Sequence, residues 1–154
     1  MNDSVLIAGI GSAHGDDQIG WIVARSIQER RGTMANVRIL CSPLEILHRT
    51  ESYSRLILID GFLGHGNVGS LRRWVWPTEQ IVSTQRGGTH SISVPDVLRM
   101  GSQLRLLPRD ITIWGIEGRS FDPGDPVSPR LIDAAPQIAE HILAVEFDEA
   151  AANA

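Results

Sequence analysis

The sequence predicts an α/β fold: a single-domain three-layer sandwich, with an approximately five-stranded, mostly parallel, twisted sheet and helices on both faces. Three observations predict it. Apolar runs of strand length alternate with helical patterns along the chain, the signature of an open α/β sheet. One run, RLILID at Arg55 to Asp60, holds four consecutive apolar residues, as expected of a strand covered on both faces. The 154 residues are enough for one core, and they show no internal repeat, low-complexity segment or second domain.

Each element follows from its own residues. Val5 to Ala8 is an uncharged apolar run and opens the chain as a strand. Gly9-Ile10-Gly11 and Ser12-Ala13-His14-Gly15 read as a tight turn, in which glycine supplies the needed backbone freedom. Asp16 and Asp17 follow. The pattern Ile19, Ile22, Val23, Ser26, Ile27 then predicts a helix from about Asp17 to about Arg30, closed by Gly32 and Asn36. Val37 to Cys41 is a second strand, with Cys41 expected as a small buried hydrophobe at its end. Ser42-Pro43-Leu44-Glu45 is a helix start, with serine at the cap, proline next and glutamate three residues on. That short helix reaches about Thr50, and Arg55 to Asp60 is the third strand.

Gly61 to Gly69 is a glycine-rich loop. Ser70 to Trp76 is a fourth strand, and Arg72 and Arg73 place it at an edge. Pro77 to His90 is polar, with Gly87-Gly88, and reads as loop. Ser93-Val94-Pro95-Asp96 starts a helix to about Gln103, and Asp110 to Glu117 is the last strand. After a Gly/Pro loop, Gly118 to Pro126, Ser128-Pro129 begins a final helix whose apolar face is Leu131, Ile132, Ile138, Ile142 and Leu143. The domain is expected to span 1–146, with 147–154 a frayed tail. Trp74, Trp76 and Trp114 fall on strands and are expected to pack.

Composition excludes several classes. The chain is 42% hydrophobic and 21% charged, ordinary for a globular protein, and its net charge of -4 gives no electrostatic case for nucleic acid or an acidic membrane. No apolar run approaches the roughly 20 residues that span a bilayer. No basic region or cleavage site of a signal peptide precedes the first strand, and a single cysteine allows neither an internal disulfide nor a Cys-rich zinc site. The cytoplasm is the expected compartment.

The chemistry is sought where open parallel sheets place it, outside the carboxyl ends of the strands. The first turn is not a dinucleotide fingerprint. Its spacing is G-x-G-x-x-x-G, and two carboxylates at a helix start repel a pyrophosphate. They suit the helix dipole or a cation; a plain cap is the alternative. Asp17, Asp60 and His90 can converge on one rim from three distant parts of the chain. Two carboxylates and an imidazole are a plausible open site for a divalent transition metal. Each also has an ordinary reading: Asp60 as a strand-end residue satisfying backbone groups, His90 as a loop histidine. Glu117 is expected to be solvated, and His14, His48, His65 and His141 to be surface residues. Neither a G-x-S-x-G elbow nor an H-E-x-x-H helix occurs.

Four segments, in order, carry a resemblance. GIGSAHGDDQIG is similar to a strand followed by G-x-G-N and then D-D or D-E before a helix; RLILIDGF to a buried strand ending in Asp. GGTHSISVPDVL is similar to a histidine just before a D-V-L-bearing helix, and WGIEGRSFDPGDPVSPRL to a G-I-E segment with a proline-glycine loop and Ser-Pro. On these motifs, which run over nearly the whole chain, it resembles the hydrogenase maturation endopeptidases. The resemblance implies a five-stranded α/β peptidase that removes a C-terminal extension from the large-subunit precursor of a nickel-iron hydrogenase. It implies that Asp17, Asp60 and His90 are the catalytic, metal-contacting positions, an aspartyl-rich set that recognises nickel already carried by the substrate. No resident metal or organic cofactor is expected, and neither nucleic acid nor membrane is a partner. Either the metal or a carboxylate acting as base would activate the attacking water. Ser12 stands where the family usually has Asn and Gln18 where glycine is common, and SPLEILH lacks the expected glycines. These departures spare the three ligand positions. The alternative reading is a metal-gated chaperone module that docks on the precursor without cutting it.

Overall fold

Five strands form one sheet in the computed structural model, which describes residues 4–31, 36–64, 66–81 and 92–148. They are β1 (Val5–Ile10), β2 (Asn36–Leu40), β3 (Arg55–Leu63), β4 (Leu71–Val75) and β5 (Asp110–Gly118), side by side in the order β2-β1-β3-β5-β4. All neighbours run parallel except β4, which pairs antiparallel with β5 and is an edge, as its two arginines predict. The helices are α1 (Ile19–Arg31), α2 (Val94–Gln103) and α3 (Pro129–Leu143). The stretch after Ser42 keeps its capping box but makes only a 3-10 turn, Pro43–Leu47.

Alternation along the buried strands divides the core in two. Ile7, Ile57, Ile59, Trp114 and Ile116 face α1 and α3. Leu6, Ala8, Ile10, Leu56, Leu58, Ile111 and Ile113 face α2 and the 3-10 turn. This is the three-layer sandwich the sequence predicts. Among the described residues no helix is long and apolar enough to cross a membrane.

Several local expectations change. Cys41 is exposed, because β2 ends at Leu40 and Cys41 belongs to the turn, where its N–H donates to Glu45 at 2.5 Å. β3 runs three residues past Asp60, through Leu63, since β5 continues alongside it to Gly118. Residues 147 and 148, expected in the tail, are helical. A π-helical turn covers Ala144–Asp148, and Phe147 packs against the core beneath the Arg55 guanidinium.

Within that turn Glu146 is buried and accepts from three side chains. Trp114 Nε1 donates at 2.7 Å and Arg73 Nε at 2.8 Å, and the Arg55 guanidinium pairs with the second oxygen. Arg55 also donates to the Glu146 carbonyl at 2.9 Å. The cluster ties the end of the chain to the amino end of β3, far from the strand ends where chemistry is expected.

Candidate active site

Two glycines bring α1 down onto the sheet. A Cβ on Gly9 would stand 2.3 Å from the Gly20 carbonyl oxygen, and one on Gly20 would stand 2.1 Å from that of Ile10. Close approach, rather than turn conformation, is what these positions require. Gly15 is the residue of the turn that does need glycine's freedom, at φ +53°. The consequence is a short 3-10 turn, Gly15–Gln18, seated over the carboxyl ends of β1 and β3.

The two aspartates of that turn have separate tasks. Neither caps it: the cap position is His14, an exposed residue that makes no side-chain cap bond. Asp16, 1% exposed, reaches across to the start of α3. Its carboxylate accepts from the Ser128 N–H at 2.6 Å, the Ser128 hydroxyl at 2.7 Å and the Arg119 N–H at 2.7 Å. Ser128 therefore makes no cap bond within its own helix. Burial opposes the charge on Asp16, but the hydrogen bonds from Ser128 and Arg119 outweigh it and hold the carboxyl below its ordinary 3.8.

That shift has a measurable consequence. A folded value below the unfolded one means that the folded state binds fewer protons. The stabilisation is complete above the ordinary value and is lost as pH falls through the folded one. Asp16→Asn is expected to cost about 2 kcal/mol at pH 7, the scale of hydrogen bonds to a charged group. The gap from the parent protein should close as urea melts are taken to pH 3 and below; a constant gap would contradict it.

Asp17 is 4% exposed and accepts the Ser12 hydroxyl at 2.7 Å on Oδ2. Ser12 in turn accepts the His14 N–H at 3.3 Å, so it is fixed from both sides. Asp60 is half-buried on β3, in register with Ile10, the last residue of β1, and with Gly115 of β5. Strand alternation puts it on the α2 side, after Leu56 and Leu58. Asp17 thus sits in the turn that follows β1, and Asp60 on the neighbouring strand, three residues before its end. His90 lies outside the described residues, as does His65. Ile92, the next described residue, packs on the α2-side cluster.

Glu117 corrects an expectation. It is 2% exposed rather than solvated, because the glycine loop folds over it. Oε1 accepts the Gly66 N–H at 2.6 Å. Even so, among the described residues no three His, Cys, Asp or Glu side chains gather to hold a metal ion, so Glu117 does not complete a triad with Asp17 and Asp60. Of the other histidines, His48 is exposed, and exposed His141 meets the Trp114 ring edge-on.

The same arrangement of strands and helices occurs in solved structures. A [NiFe] hydrogenase maturation protease, HycI, from Thermococcus kodakarensis aligns at TM-score 0.70 and 19% identity, over 91% of this chain and 90% of that one. The hydrogenase maturating endopeptidase HybD from Escherichia coli aligns at TM-score 0.69 and 22% identity, over 95% and 93%. The chain has the fold of the hydrogenase maturation proteases. An endopeptidase from Escherichia coli solved in solution shares this maturation-protease fold at TM-score 0.73 and 20% identity, over 92% of this chain and 90% of that one. No protein-family model matches the chain, and no curated protein matches it in sequence.

Proposed function

We propose that this chain is an endopeptidase that removes the C-terminal extension of a nickel-iron hydrogenase large-subunit precursor once nickel has been inserted. The observation that supports the reading is that Asp17, in the turn after β1, and Asp60, level with the last residue of β1, lie in a fold shared with hydrogenase maturation endopeptidases. In this reading Asp17, Asp60 and His90 contact the nickel of the substrate. Two carboxylates and an imidazole suit a divalent transition metal that arrives with other ligands already in place. The Ser12 hydrogen bond orients Asp17 for that contact. The reaction adds water across one peptide bond: the carbonyl carbon gains the hydroxyl, the C–N bond breaks and the leaving nitrogen takes the proton. The lone cysteine leaves no internal disulfide that needs an oxidising compartment, which favours the cytoplasm as the place of reaction.

The intact mass of the precursor, before and after incubation with the protein, tests this. Nickel-loaded precursor is expected to lose a C-terminal peptide, and nickel-free precursor to stay whole. Cleavage of both forms would remove the metal check from the reading. Binding of the loaded form without any mass loss would replace the peptidase by a docking module.

A further inference from the structure

Glu117 is a buried carboxylate that the proposed reaction does not use. It stands on β5 opposite Phe62 of β3, on the same sheet face as Asp60 and one side-chain step beyond it. The β3–β4 connection is fastened to it at three points. Its side chain accepts the Gly66 N–H at 2.6 Å, its carbonyl accepts the Gly69 N–H at 2.8 Å, and its own N–H donates to the Ser70 carbonyl at 2.9 Å. The glycines are fitted to the carboxylate as well. A Cβ on Gly64 would lie 2.6 Å from Oε1, and one on Gly66 would lie 2.7 Å from Oε2. Phe62 is held between Trp74, edge-on at 6.3 Å, and the Arg72 guanidinium, 5.3 Å above its ring.

Backbone pairing alone could close this connection. Burying a carboxylate as well is costly unless hydrogen bonds satisfy it, and the Gly66 amide supplies one. We propose that Glu117 is a positioning residue: it fixes the β3–β4 connection over the end of β3, where Phe62 stands on the same sheet face as Asp60, so that the precursor peptide docks there. The inference rests on the endopeptidase reading. It assigns Glu117 to substrate binding and leaves the chemical step to other groups.

Cleavage kinetics on nickel-loaded precursor, with hydrogen exchange at Gly66 read in parallel, test it. Glu117→Ala is expected to raise KM about tenfold, a loss of roughly 1.4 kcal/mol in binding, with kcat changed less than about threefold and faster exchange at Gly66. Glu117→Gln keeps an oxygen facing the Gly66 amide and should return KM to within about threefold of the parent. Gly66→Ala should reproduce the KM rise, because its methyl displaces the carboxylate from the amide, and combining it with Glu117→Ala should add little. Should Glu117→Ala not fold, Gly66→Ala carries the comparison. An unmoved KM in these variants, with the parent protein active, overturns this inference alone. A fall confined to kcat, or equal losses in the Gln and Ala variants, overturns it too. An inactive parent protein overturns the endopeptidase reading and this inference with it.

Discussion

Asp17→Asn is expected to abolish processing of nickel-loaded precursor while leaving the fold intact. The substitution is nearly isosteric, which matters at a site only 4% exposed. The amide oxygen can still accept the Ser12 hydroxyl that now bonds Oδ2 at 2.7 Å, so packing and local hydrogen bonding survive. What is lost is the negative charge that the metal-contacting role requires. Removing even the outer partners of a metal ligand typically costs about 10–100-fold, so a direct ligand should cost at least about a hundredfold. Initial rates on loaded precursor measure the loss, and thermal unfolding within a few degrees of the parent protein shows that the fold is unaffected. Cleavage at the parent rate would remove Asp17 from the site.

Glu146→Gln should do the reverse. Glu146 is 3% exposed and pairs with Arg55 and Arg73, whose side chains are 26% and 38% exposed, while Trp114 Nε1 donates to it at 2.7 Å. A neutral amide leaves two guanidinium groups facing a site built for an anion. Breaking such a buried pair costs about 3–5 kcal/mol. Partial solvent access of both arginines puts the expected loss near the lower figure, about 3 kcal/mol. For a chain of this size that lowers Tm by roughly 6–12 °C. The cluster sits at the amino end of β3, whereas Asp60 lies toward the other end. Cleavage rates at 25 °C should therefore match those of the parent protein. A Tm within about 2 °C of the parent would show that the cluster carries little of the stability.

These two residues differ in how they could be read from the sequence. The frame of the fold was legible because its signals are local. Four apolar residues in RLILID mark a doubly covered strand, Ser42 with Glu45 marks a capped turn, and Ser93 caps α2 by accepting the Asp96 N–H. Asp17 and Asp60 stand out as candidates because residues toward the carboxyl ends of parallel strands are brought by topology to one side of the sheet. Asp16, Glu117 and Glu146 depend on partners that no window of sequence contains. Their hydrogen bonds bridge 112, 51 and 91 residues. Some signal was present. Glu146 follows Ile138 and Ile142 at helical spacing on the apolar face of α3, so its burial was readable even though its arginines were not. Glu117 comes near the end of a strand that is buried from Ile111 onward. Of the turn glycines, Gly15 has the positive φ expected of it, whereas Gly9 serves close approach. Only the packed structure shows that Gly9 and Gly20 matter for closeness rather than for φ.

The order of strands in the sheet has a consequence for how the chain is made. β3 and β4 are consecutive in sequence, yet β5 lies between them. As the chain leaves the ribosome, β4 emerges with no neighbour to pair with, and β3 keeps one edge open until Gly118 has been added. At about 5–20 residues per second this exposure lasts on the order of seconds. Asp17 and Asp60 belong to the half synthesised first and can settle on β1 and β3 early. The core on the α1 and α3 side waits for Trp114, Ile116 and Leu131. In the newborn protein, the strand that closes the sheet therefore arrives after both carboxylates have been laid down.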